Sequence, residues 1–90
     1  MRPLLLADLD VAARVLLALP ETERDGEMSD LVATAEDADR HRQATGSLLP
    51  GAGDGSLLSA ALLRRRAEPG LADPLYRGCL LAVLKALDGL

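Results

Sequence analysis

The chain has no phenylalanine, no tryptophan, one tyrosine (Tyr76), one histidine (His41) and one cysteine (Cys79). Each shortage excludes something. A single cysteine rules out an internal disulfide and suits a reducing compartment. One histidine and one distant cysteine fall short of the three or four N and S ligands that a zinc site takes. The near absence of aromatic rings removes the stacking platforms that hold single-stranded nucleic acid. Because Ile, Phe and Tyr are all scarce, so are the side chains that favour strands. Long apolar runs are missing too. Asp8, Asp10 and Arg14 interrupt the opening "MRPLLLADLDVAARVLLALP". What remains is neither a signal-peptide core nor the ~18–20 apolar residues that cross a bilayer. The expectation is a cytoplasmic chain that does not enter a membrane.

What is present is leucine, alanine and valine, within a hydrophobic share of 49%. Leu and Ala are strong helix formers. Ninety residues make one small domain, residues 1–90, and a chain of that size buries only about 60–65% of its unfolded surface. Small leucine-rich helical chains often complete their core against another chain. The net charge of −4 and the pI near 4.8 repel nucleic acid and anionic lipid in bulk.

Periodicity and punctuation predict an all-α fold, a bundle of about four short helices. Leu5, Leu9, Ala12, Leu16 and Leu19 form the stripe of a first helix, which either takes Asp8 as its N-cap or starts as early as Pro3, with Asp10–Arg14 as a weak surface pair. Pro20 ends that helix and suits the first position of a second. The second carries Leu31, Ala35 and Ala38 inward and finishes at Gly46, with Gly26 as a point where it can break. "SLLPGAGDGS" is loop by composition and reads as a slack connection. Asp54 or Ser56 caps a third helix, "LLSAALLRRR", which is apolar nearly all round until Arg64. Asp73 and Pro74 open the last helix, where Leu80, Val83, Leu84 and Leu87 share a face and Leu81 stands opposite between Arg77 and Lys85.

The chemical inventory is thin. "GSLLPGAG" has Ala52 where a phosphate-binding loop needs lysine, and no strand precedes it. Asp54 alone does not make a calcium loop. His41 lies near Asp37 and Glu36 but has no second nitrogen or sulfur ligand. Cys79 sits in an apolar helix, where cysteines are usually inert packing. Asp8 with Asp10, and Glu36 with Asp37 and Asp39, read as solvated faces. The expectation is no catalytic residue, no metal and no cofactor. Two surfaces remain. Arg64, Arg65 and Arg66, joined in space by Arg40 and Arg42, are candidate phosphate contacts. Leu58, Leu62, Leu80, Leu81, Leu84 and Leu87 exceed what one small core hides, and excess apolar area implies a partner or a second copy.

Four segments, "MRPLLLADLDVAARVLLALP", "ADRHRQATG", "GDGSLLSAAL" and "DPLYRGCLLAVLKAL", together span nearly the whole chain. They resemble a family of short alphaproteobacterial proteins of the Rhodobacter type. That family is associated with the phage-like gene transfer agent, beside whose packaging motor a small terminase subunit is expected. The resemblance implies an oligomeric helical adaptor that docks a larger motor subunit and touches DNA weakly or indirectly. The chain has no recognisable helix-turn-helix, which weakens the case for sequence-specific DNA recognition. The reading is therefore a non-enzymatic adaptor that oligomerises. The alternative is a direct nucleic-acid binder that uses the arginine cluster.

Overall fold

Pro20, Gly46 and the Asp73–Pro74 pair divide the chain into helices, as their backbone chemistry requires. The computed structural model describes residues 1–90 and contains α1 (Leu6–Leu17), α2 (Glu21–Thr45), α3 (Leu57–Leu62) and α4 (Pro74–Asp88). The fold is all-α. The only β-type pairing is an isolated bridge between Leu49 and Gly53.

Asp8 is not the cap of α1. Leu5, extended at φ −120°, is the N-cap, and Asp8 lies in the first turn. Its carboxylate reaches back to accept the Leu5 N–H at 2.7 Å. This is half of a capping box, since leucine has no side-chain acceptor to return the bond. The other carboxylate oxygen accepts the Leu58 N–H at 2.7 Å, in the first turn of α3. One side chain thus satisfies two helix N-termini, where positive peptide dipoles favour an anion. That explains how Asp8 is only 3% exposed, although a buried charge is costly without such partners.

Pro20 stays extended as the N-cap of α2 instead of entering its first turn, and α2 runs unbroken through Gly26 for 25 residues. An exposed glycine costs a helix about 1 kcal/mol, less than the anchoring by Met28, Leu31, Ala35 and Ala38 contributes. The expected small all-α bundle of four helices is what forms, with α2 as its one long member: a helix of this length measures about 37 Å and sets the 42 Å long axis. It ends where Gly46 turns left-handed, at φ +74°, and donates its N–H to the Arg42 carbonyl. α3 is shorter than its apolar run suggests and stops at Leu62, which leaves all three arginines outside it. Ser56 is its cap, accepting the Ser59 N–H, and Asp54 in turn accepts from the Ser56 N–H and hydroxyl. α4 begins as expected: Asp73 accepts the Leu75 N–H at 2.8 Å, with Pro74 in the first turn.

The loop from Gly46 to Ser56 is not slack. Gly55 is buried at φ +94°, and a Cβ there would come 2.7 Å from the Asp39 Cβ. Its carbonyl accepts the Arg2 N–H, and Arg2 pairs with Asp54. Asp39, expected on a solvated face, is likewise buried and accepts from Arg42, Gln43 and the Met1 amino group.

α1 is the hub. It packs on α2, α3 and α4, while α3 also touches α2, and α4 is held chiefly by α1. With neighbours on three sides, α1 buries a wider face than its leucine stripe suggests: Ala12, Ala13, Val15 and Leu16. Alanines at its centre and at Ala60 and Ala61 let the backbones approach closely, and Leu57, Tyr76, Cys79 and Val83 close the core.

Candidate interaction surfaces

The arginine run does not form a free basic patch. Arg64 is drawn onto α2, where its guanidinium donates to Glu27 (2.5 Å) and Thr34 (3.2 Å). Arg66 folds back onto the Leu62 and Arg64 carbonyls. Arg65 is exposed and makes no ion pair. The residue that joins them is Arg14, which lines a shallow depression of about 440 Å³ together with Arg64, Arg65, Arg66 and Glu68. Arg40 and Arg42 do not line it. They are engaged on their own helix, Arg40 with Asp37 and Arg42 with Asp39.

Arg14 also holds the connection to α4 in place. It pairs with Asp10 at 3.0 Å, donates to the Glu68 and Pro69 carbonyls, and lies 5.4 Å from the Tyr76 ring centre. The Tyr76 hydroxyl donates to the same Asp10 oxygen at 2.6 Å. The Tyr76 hydrogen bond and then Arg14 hold the Asp10 carboxyl below its ordinary range. Burial, with Asp10 next to it, raises the Tyr76 phenol. What the sequence shows as a surface pair is the polar base of a junction among α1, α4 and the segment between α3 and α4.

Over that base opens a groove of about 570 Å³ with nearly all-apolar walls: Leu6, Leu9, Leu71, Tyr76, Leu80 and Leu84. Leu6 is 84% exposed and Leu71 68%. The candidate leucines therefore divide. Leu80 and Leu84 meet in this groove. Leu87 is half-buried and packs on the core. Leu58 is half-buried beside Asp8, and Leu62 is exposed at the end of α3 next to Leu63. Leu81 stands exposed on the outer face of α4. Leu6, Leu71 and Tyr76 complete this surface from outside the leucine excess of α3 and α4. Leu6 hints at it by lying off the stripe of α1, whereas Leu71, in a loop, carries no periodic signal.

A second groove, of about 410 Å³, separates α2 from α4. Leu16 and Met28 lie within it, Val32 and Ala33 line one wall, and Ala82, Ala86 and Leu90 line the other. Asp25 and Glu36 sit on its α2 side. No group of three or more His, Cys, Asp or Glu side chains stands where it could hold a metal ion. Burial raises the Cys79 thiol above its ordinary value, so the sulfur is protonated at neutral pH. No helix is long and apolar enough to cross a membrane.

Comparison with known families matches residues 2–87 to DUF7742, a domain of unknown function. No curated protein and no solved structure matches the chain.

Proposed function

This chain belongs to the DUF7742 family, and we propose that it is a non-enzymatic helical adaptor that self-associates and docks a larger protein through the α1–α4 groove. The observation that carries this reading is the groove itself. It gathers Leu6, Leu71 and Leu84 at the surface over a base already fixed by Asp10, Arg14 and Tyr76. A preformed apolar groove with a rigid polar floor suits an apolar ridge from another protein. The work is proposed to take place in the cytoplasm, where Cys79 stays reduced. The sharpest form of the proposal is a small DNA-packaging subunit of the terminase type that seats on a packaging motor, and its support is the resemblance of the four segments quoted above.

Two measurements test the reading. Light scattering on a sizing column at moderate salt should give a defined multimer, and a clean monomer overturns the self-association half. A photoreactive side chain placed at Leu71 should give one discrete heavier adduct in cells, lost when Leu6 and Leu84 become Glu. No adduct, or an adduct unaffected by those changes, overturns the docking half.

A second reading, direct contact with nucleic acid, draws on the depression in which Arg14 joins Arg64, Arg65 and Arg66. Three of those four guanidinium groups already have protein partners, so the contact would rest mainly on Arg65. Binding that falls steeply with salt and disappears when Arg64, Arg65 and Arg66 become Ala would favour this reading over the first.

A further inference from the structure

We propose that the groove between α2 and α4 receives the outer face of α4 from a second copy of this chain, so that self-association is head-to-tail. This rests on the self-association reading above and assigns it two surfaces.

The α2 wall of the groove runs Asp25, Met28, Val32, Glu36. At spacings of three, four and four residues these lie along one line of a helix. The wall is thus apolar in the middle with a carboxylate at each end. Neither carboxylate has an ion pair or a side-chain hydrogen bond within the chain. The α4 wall carries only the short side chains of Ala82 and Ala86 along the helix, with Leu90 just past its end, which keeps the mouth of the groove open.

The outer face of α4 carries the opposite pattern. Leu81 is 67% exposed on the side away from the core. Arg77 stands one turn before it and Lys85 one turn after. Neither pairs with a carboxylate, and the Arg77 guanidinium donates only to the Leu71 carbonyl. Cation, leucine, cation on the ridge therefore faces anion, Met–Val, anion in the groove. Along the helix axes the two cations are about 12 Å apart and the two carboxylates about 16 Å. Two long basic side chains bridge that difference.

One copy cannot satisfy itself, because ridge and groove lie on different sides of the same helix. The two patches differ, so the contact is heterologous: every copy offers one free ridge and one free groove. With a net charge of −4, copies repel in bulk and approach best where local charges alternate.

Leu81→Glu disables the ridge, and Ala33→Arg fills the groove with a bulky cation. Both positions are exposed, so both variants should keep the wild-type circular dichroism. On a sizing column with light scattering, the wild type should be a multimer and each variant alone a monomer. An equimolar mixture should form a one-to-one dimer and nothing larger, because one intact ridge and one intact groove remain. A wild-type monomer overturns self-association and this inference together. A multimer that persists in either variant leaves self-association standing and overturns this interface. So does a mixture that stays monomeric. A charge swap provides a second set of variants. Lys85→Glu should break the assembly, and either Asp25→Lys or Glu36→Lys in the same chain should restore it, the successful partner showing which way the helices run. Failure of both to restore it counts against the pairing.

Discussion

Two ends of this molecule are held together by different means. At one end, Asp8, Asp39 and Gly55 lock the chain start, the long loop and the first turn of α3 into a buried polar network. At the other, α4 leans on α1, flanked by an apolar groove on each side, with Leu75 and Leu81 facing water. The first end meets nearly all its hydrogen-bonding needs within the chain, with the Arg2 Nε its one buried side-chain atom lacking a partner. The second leaves apolar surface uncovered. A small domain has little core to share out, and here it is directional polar contacts that hold one half in register while leucine surface remains free in the other.

The contrast can be broken most severely at Asp8. Asp8→Ala leaves the Leu5 and Leu58 N–H groups without an acceptor, and urea unfolding should show a loss of about 3 kcal/mol. Asp8→Asn, which keeps one acceptor, should lose less. Gly55→Ala comes next. It combines a left-handed backbone with a Cβ pressed against Asp39, so the expected cost is about 2 kcal/mol. Acid probes the same end more gently. The Ser56 hydrogen bonds lower Asp54 to about 2, and Arg42 and the chain's amino group lower Asp39. A carboxylate more acidic in the folded state than in the unfolded one stabilises fully above the unfolded value near 4 and loses that contribution as protons bind. Thermal midpoints should therefore be flat above about pH 5 and fall between the ordinary carboxylate range and about pH 2. The drop should be modest, because Asp54 is two-fifths exposed and solvent screens it. At the other end, Leu71→Ser and Leu84→Ser should each shift the stability of the monomer by about 0.5 kcal/mol or less. A large loss there would mean that the groove belongs to the core and that the contrast is false.

How much of this was legible from the residues depends on how far apart the partners lie. The Asp73–Pro74 start of α4, the Ser56 cap and the Gly46 finish are local, and each shows in a few letters. Asp8 does not, because its second partner is Leu58, fifty residues away. Composition marks "SLLPGAGDGS" as a turn but says nothing of Asp39, against which Gly55 packs. Arg64 reads as a free cation until Glu27 and Thr34 arrive from α2. The excess of leucine was visible in the sequence. Its division among the α1–α4 groove, the end of α3 and the outer face of α4 was not, because that depends on α4 choosing α1 as its support.

That choice also makes the single thiol useful. Cys79 faces inward from α4, buried and protonated. A helix held chiefly by one neighbour can lift away without the rest unfolding, and local openings of this kind need less free energy than global unfolding. The protein thus carries its own clock: the rate at which a thiol reagent finds Cys79 times how often the last helix lets go, and anything seated in the adjoining grooves should slow it.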